Sequence, residues 1–275
     1  MAELDLEKAA RLEREYDPEM HFRRSVPPAG WIVTGLLIVL SLYHYYTAGF
    51  GILAEHWHKS IHLSFVLGLV FLVFGITKKS NDVVPKNSWL KPGGIPLYDW
   101  ALAGATVFLC MYIPWDYAEL NFRIGNPNQT DILAGTLMIV FILEATRRAM
   151  GPVLPIIVII FIVYAIYGRI APGVLAHPGN RWSDFVNHVY LTTEGIFGIP
   201  VKVVSTFVFH FVLFGTIAQR MGLGQFFIDL AQCVAGRYSG GPAKVAVLSS
   251  AMFGTISGSS IANTVTTGAL TIPTM

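Results

Sequence analysis

The sequence is poor in charged residues and in cysteine, and it lacks the motifs of common enzyme classes. Only 13% of its 275 residues are charged, against about 25% in a typical soluble domain. Its two cysteines, Cys110 and Cys233, show no CxxC or metal-ligand spacing, so we expect buried free thiols and no disulfide framework. No P-loop, HExxH, GxSxG or GxGxxG motif is present, and no basic patch is interleaved with aromatics. We therefore predict no enzyme activity, no organic cofactor, no nucleic-acid binding and no ATP hydrolysis.

Apolar residues dominate instead, at 53% of the chain with a mean hydropathy of +0.56. They fall into runs long enough for membrane-spanning helices, which predicts an all-α integral membrane protein with about six transmembrane helices. Thr130 or Asp131 is expected to cap the fourth span. Residues 182–193 and 222–235 are amphipathic and predict interfacial helices. The predicted spans are residues 31–50, 61–76, 97–115, 131–149, 152–170 and 203–219.

The basic residues predict which side each connection faces. With the N-terminus in the cytoplasm, 14 of the 19 lysines and arginines lie inside. This bias matches the positive-inside rule, so we predict a multi-pass protein with a cytoplasmic N-terminus. The basic residues left outside are Lys59, Arg123, Arg169, Arg181 and Lys202.

Several ionisable residues fall within or beside the apolar runs. His56, His58 and His62 are expected to be interfacial rather than metal ligands, because few other ligands lie near them. His44 and His210 lie inside spans, where hydrogen-bonded core residues and proton relays are both open interpretations. Glu144 is an intramembrane carboxylate by position. Because arginines follow it three and four residues later, we expect a helix-end ion pair.

The last 32 residues, Lys244 to Met275, organise the rest of the chain. Two apolar arms, roughly Ala243–Gly254 and Ile261–Thr274, flank a small polar centre, and each arm is too short to cross a bilayer alone. A helix break at membrane depth requires protein or a watery cavity around it. The stretch predicts a C-terminal re-entrant helical hairpin, either lining a transport site or serving only close helix packing. Its centre is Ser257, Gly258, Ser259 and Ser260.

The second half of the chain resembles a known family in several blocks. Together the blocks cover about residues 190–275, and they look like the membrane subunit of tripartite ATP-independent periplasmic (TRAP) transporters of the TAXI subfamily. The four spans before them resemble the small-subunit part of a fused subunit, mainly in layout and in residues 144–148. The blocks are Tyr190–Pro200, Phe211–Gly215, Phe226–Leu230, Ala235–Arg237, Gly240–Lys244 and Ile256–Gly268.

The resemblance implies a division of the chain and a function. Residues 1–28 would be a cytoplasmic segment, residues 29–150 a scaffold like the small subunit, and residues 151–275 the start of the large transport subunit. The implied protein is a secondary importer of organic acids, such as dicarboxylates or amino acids, in the bacterial inner membrane. It would be driven by Na⁺ or H⁺, supplied by a periplasmic TAXI-type binding protein, and operate as an elevator.

The resemblance also assigns site residues to the hairpin. Ser257, Gly258, Ser259 and Ser260 would hold Na⁺ through carbonyl and hydroxyl oxygens. Asn263 and the following half-helix would bind a substrate carboxylate. The family contains a second hairpin that this sequence does not, so we expect a fragment of a longer fusion. A different class remains as the alternative, a membrane scaffold or regulatory subunit without transport activity. The residues implied in substrate or ion binding also include Thr264, Thr266 and Thr267.

Overall fold

The computed structural model describes residues 22–23, 25–77, 90–256, 263–264 and 267–268, and these form a series of helices. Most of the predicted segment 1–28 therefore lies outside the described residues. Short 3₁₀ turns and two π-helical turns, Asn187–Leu191 and Val204–Val208, connect or extend the helices. In chain order the α-helices are α1 Ala29–Phe50, α2 Glu55–Val73, α3 Leu97–Trp115, α4 Tyr117–Arg123, α5 Gln129–Met150, α6 Val153–Tyr167, α7 Trp182–Val186, α8 Ile199–Val203, α9 Phe209–Arg220, α10 Leu223–Ala235 and α11 Gly241–Gly254.

The protein is an all-α integral membrane protein, as its composition predicts. Among the described residues, four helical segments are long and apolar enough to cross a membrane by length and composition. The most apolar of them has a mean hydropathy of 2.4, and only 11% of it is buried within the protein. Isoleucine and phenylalanine side chains that are exposed to this extent on a long helix indicate that the helix faces lipid rather than water. These four segments are Ala29–Phe50, Leu97–Trp115, Val153–Ile170 and Ile199–Arg220.

The two other predicted spans also form helices, α2 and α5. They contain 19 and 22 residues, which is the length a bilayer requires at 1.5 Å per residue. Both carry ionisable side chains that are buried within the protein, including His58 and His62 in α2 and Arg148 in α5. Such side chains are tolerated in a membrane when they face the bundle and have partners there.

The contacts divide the chain into two compact units, and the first comprises residues 22–206. Within it, α2 packs most extensively against α3, while α5 contacts both of them and α6 contacts α5. Cys110 on α3 is fully buried, as expected. The expectation was wrong for Cys233, which is exposed on α10 in the second unit because it lies off that helix's packed face.

Contacts at the helix ends show that successive helices in the first unit alternate in direction. At one end, Arg23 bonds to Asp99 near the start of α3, and Arg148 near the end of α5 bonds to the same carboxylate. At the other end, His56 near the start of α2 stacks on Tyr117, which follows α3. Alternating direction is what successive membrane crossings require. Which end faces the cytoplasm stays a prediction from the basic residues.

The start of α5 differs from the predicted cap. Asn128 is the N-cap, two residues earlier than expected, and Asp131 occupies the third helical position in a reciprocal capping box. Asparagine and aspartate both suit this motif, so the sequence allowed either residue as the cap. Arg123 bonds to Asp116 and Asp131, and these bonds raise the pKa of its guanidinium. The buried carboxylate of Asp131 therefore keeps a charged partner.

The predicted interfacial helix over residues 182–193 is shorter and packs into the bundle. It consists of α7 and the π-helical turn Asn187–Leu191, and Val186 and Tyr190 on it are fully buried. This segment approaches α5 closely at Gly135, where an added Cβ atom would lie against the Val186 side chain and 3.0 Å from Tyr190 Cβ. Glycine at this position therefore allows the two segments to meet.

We expect Gly135→Ala to lower the free energy of unfolding by about 1–3 kcal/mol, because the added methyl group overpacks this contact. Gly104→Ala on α3 is the matched control, since a Cβ atom there meets no atom within 4 Å. Alanine favours a helix over glycine by about 1 kcal/mol, so the control should melt at or above the wild-type temperature. Thermal unfolding in detergent measures both variants. A Gly135→Ala protein as stable as Gly104→Ala would contradict this packing.

Candidate functional site

The first arm of the predicted hairpin is the helix α11, Gly241–Gly254. It follows Gly240, whose φ of +70° is a left-handed conformation that glycine adopts without strain. Pro242 lies in the first helical turn, where its missing N–H costs least. The helix ends in a turn at Thr255 and Ile256. The first arm is thus helical over the length predicted for it and stops just before the Ser/Gly centre.

Small residues in the second unit allow the arm to pack closely. Ala231 and Ala235 on α10 form a buried cluster with Val245 on α11. A Cβ atom on Gly215 would approach Ile256 Cγ2 and the Ile256 carbonyl oxygen to 2.8 Å. The end of the first arm therefore lies directly against α9, and close packing explains at least part of this region's small-residue content.

One described residue of the second arm, Asn263, connects back to the first arm. The Asn263 amide Nδ2 donates to the Ser250 carbonyl oxygen at 3.1 Å, and the Ser250 hydroxyl lies 3.5 Å from Asn263 Oδ1. Within the second arm, Thr267 Oγ1 donates to the Asn263 carbonyl oxygen, four residues earlier. Asn263 therefore joins the two arms, and among the described residues one of its two amide N–H groups has no acceptor.

Most of the predicted site lies outside the described residues. Asn263, Thr264 and Thr267 fall within helical turns, and Thr267 is buried while Thr264 is exposed. The assignment of all eight residues to ion or substrate binding therefore stays a prediction. Ser257, Gly258, Ser259, Ser260 and Thr266 are the positions that are not described.

A second polar cluster, in the first unit, was only partly foreseen. His44, His58 and His62 are buried between α1 and α2, so His58 and His62 face the bundle, while their expected depth at the membrane interface stays a prediction. His62 Nδ1 lies 2.9 Å from His44 Nε2, and the Tyr43 hydroxyl lies 2.8 Å from His58 Nδ1. The core interpretation of His44 is confirmed. Residues 18 positions apart on two helices carry no pairing signal in a single sequence.

Backbone carbonyls fix the tautomers of this histidine cluster. Leu40 and Ser205 offer carbonyl oxygens at 2.9 Å from His44 Nδ1 and 3.1 Å from His58 Nε2. A carbonyl only accepts, so both of these ring nitrogens carry a hydrogen. In neutral rings the opposite nitrogens then accept, from His62 and from the Tyr43 hydroxyl. Among the described residues, no three His, Cys, Asp or Glu side chains are grouped to hold a metal ion.

A third cluster consists of ion pairs at the opposite end of the first unit. Glu144 bonds to Arg147 and Arg148 at 2.7 Å each, which confirms the expected helix-end pair. The sequence did not reveal that Arg148 also bonds to Asp99, which in turn bonds to Arg23, both at 2.6 Å. Asp99 is fully buried and joins two buried guanidinium groups. The cluster ties the start of α3 to the end of α5.

The described helices define a multi-pass helical membrane protein. Residues 137–275 match the family described as tripartite ATP-independent periplasmic transporter, DctM component. The match covers just over half of the 275 residues, and the chain belongs to this family. It is therefore a transporter component rather than a member of an enzyme class, and the family implies a periplasmic partner and a transported substrate. A search of curated proteins found no match, and a search of solved structures found none.

Proposed function

We propose that the chain belongs to a fused TAXI-type membrane subunit that imports organic acids into the cytoplasm. In this proposal an inward Na⁺ gradient, or an H⁺ gradient, drives uptake across the bacterial inner membrane. A periplasmic TAXI-type binding protein supplies a dicarboxylate or an amino acid. The observation that carries the proposal is the family match, because residues 137–275 include the Ser/Gly stretch predicted to form the hairpin.

The contacts of the first unit support the fusion. Lys59 Nζ donates to the Phe197 carbonyl oxygen at 2.6 Å, and the Tyr190 hydroxyl donates to the Leu109 carbonyl oxygen at 2.7 Å. His58 lies 3.1 Å from the Ser205 carbonyl oxygen. Each bond joins a residue before the matched region to one inside it, and all of these residues are buried. Extensive buried bonding of this kind suits a scaffold built from both parts, with the proposed junction near residue 150.

The chemistry of the residues in the predicted hairpin supports the proposal of a transport site there. A hard cation prefers oxygen ligands, and a break at Gly258 would free carbonyl oxygens beside the Ser257, Ser259 and Ser260 hydroxyls. Such a site binds Na⁺ without burying an unpaired carboxylate, which is costly in a membrane. Asn263 is held by Ser250 on the first arm, and in this proposal its second N–H group donates to a substrate carboxylate. An elevator motion would carry this hairpin across the membrane.

Uptake by the complete transporter in proteoliposomes tests the proposal. With the periplasmic binding protein outside, we expect labelled dicarboxylates or amino acids to accumulate under an inward Na⁺ or H⁺ gradient. Separate Na⁺ and H⁺ gradients identify the coupling ion. Omitting the binding protein should reduce uptake to that of empty liposomes. Equal uptake without either gradient, or without the binding protein, would contradict the proposal and favour a non-transporting scaffold.

A further inference from the structure

A cavity of about 500 Å³ opens at the end of the first unit where α2 begins. Its walls come from α2, from α3 and α4, and from the segment that follows α7, all within residues 22–206. The volume falls within the range of small-molecule sites. The predicted topology places this end on the periplasmic side. None of the residues that line the cavity belongs to the hairpin, and the proposed transport mechanism does not use them.

A buried ammonium group lines this cavity. The side chain of Lys59 is 3% exposed, and its Nζ donates to Glu55 Oε1 at 3.0 Å and to the Phe197 carbonyl oxygen at 2.6 Å. An ammonium group has three N–H donors, and the third has no protein acceptor among the described residues. A buried charge with an unused donor favours an anionic partner.

The local charge balance is also positive. Glu55 accepts from Lys59 and, through its other oxygen, from Lys202 at 2.9 Å. One carboxylate therefore faces two ammonium groups. This excess of one positive charge favours an anion entering the cavity over a cation, and a neutral molecule would leave the excess uncompensated.

The other walls supply a hydroxyl donor and apolar surface. Thr192 and Thr193 line the cavity on the segment after α7. The Thr192 hydroxyl already donates to the His188 carbonyl oxygen at 2.6 Å, so the hydroxyl that faces a ligand as a donor is that of Thr193. His56 stacks on Tyr117 with ring centroids 3.8 Å apart and planes within 4°. Ile113 and Leu120 add an aliphatic surface. A flat apolar body would pack on these side chains while its charged group reaches Lys59.

We infer that this cavity is a binding site for a small organic carboxylate with an apolar or aromatic body. The carboxylate accepts from Lys59 and from a threonine hydroxyl, and the body packs on the stacked His56 and Tyr117 rings. The site goes beyond the proposed transport function, because binding here requires neither the hairpin nor an ion gradient. Ligand binding to the purified chain and gradient-driven uptake are separate measurements, so either proposal can fail without the other.

Benzoate titrated onto the purified full chain in detergent tests the site, with benzamide and benzylamine as the neutral and cationic probes of the same shape. We expect benzoate to raise the thermal midpoint in a saturable way, and the other two probes to have no such effect. Lys59→Met should weaken benzoate binding about tenfold or more, since a charge-assisted hydrogen bond is lost. Lys91→Met is the matched control, because Lys91 is exposed and does not line the cavity. It should change the affinity less than about threefold.

A further variant keeps the test decisive if Lys59→Met does not fold. Thr193→Val alters an exposed cavity residue and no described hydrogen bond, so the protein should fold normally. We expect it to weaken benzoate binding about three- to tenfold. Equal binding of benzoate and benzamide would overturn the inference. Unchanged benzoate affinity in every folded cavity variant would also overturn it.

Discussion

The double variant Ser259→Ala and Ser260→Ala is expected to lose gradient-driven uptake in the complete transporter while the protein still folds. The proposed Na⁺ site uses these hydroxyl oxygens, and alanine provides no oxygen ligand in their place. A hydrogen bond or ligand contact to a charged group contributes about 1.5–3 kcal/mol. Removing two such contacts should therefore lower ion affinity at least about tenfold. Uptake measured against Na⁺ concentration, together with the thermal midpoint, separates loss of the site from loss of the fold.

Ser41→Ala with Ser183→Ala provides the matched double control. The Ser41 hydroxyl bonds only to a carbonyl one turn earlier on α1, and the Ser183 hydroxyl bonds to the neighbouring Asp184. Neither belongs to the hairpin, so uptake should stay at the wild-type level. If the hairpin variant retains wild-type uptake and Na⁺ dependence, its serines serve packing, and the ion site lies elsewhere.

Replacing Asp99 with alanine is expected to have the largest effect on stability in the first unit. Asp99 is the buried carboxylate between Arg23 and Arg148. Two further nitrogens of Arg23, Nε and Nη1, are buried without a hydrogen-bond partner among the described residues. Removing the carboxylate therefore leaves that guanidinium without an acceptor in the described part of the chain. Breaking a buried ion pair from one side costs about 3–5 kcal/mol.

Thermal unfolding of Asp99→Ala beside Glu119→Ala measures this effect. Glu119 pairs with Arg123 at 3.7 Å and its side chain is 81% exposed, so its loss should hardly change stability. Arg23→Leu combined with Asp99→Ala should recover part of the loss, because the double variant no longer buries the unpaired Arg23 charge. An Asp99→Ala protein that melts with the wild type would show that the cluster does not stabilise the unit.

Local patterns predicted most of the helices. The apolar runs gave helices near every expected span, since hydrophobic length alone separates a membrane helix from a loop. The first hairpin arm ends at Gly254, where the small polar residues begin. The pairing of Glu144 with arginines three and four residues later follows from helix geometry. These predictions succeeded because each depends on residues within a few helical turns.

Predictions that depend on distant residues were incomplete. One local prediction also failed. Several adjacent residues can cap a helix, and the cap was predicted at Thr130 or Asp131, whereas the N-cap is Asn128. His58 and His62 were expected at the interface because nothing in their own segment indicated His44 or Tyr43. Cys233 is apolar in its local sequence context, but α10 turns it away from the packed face.

The sequence by itself determined that this is a helical membrane protein. The Ser/Gly stretch of the predicted hairpin and the similarity to the family are also properties of the sequence alone. Composition and hydrophobic length decide those properties, because the bilayer admits few other structures. Only the tertiary structure decided which polar side chains meet. Arg23 and Asp99 lie 76 residues apart, and Lys59 lies 138 residues from the carbonyl it binds. Such pairs form only when antiparallel helices bring distant helix ends together, and burial then requires each charge to find a partner.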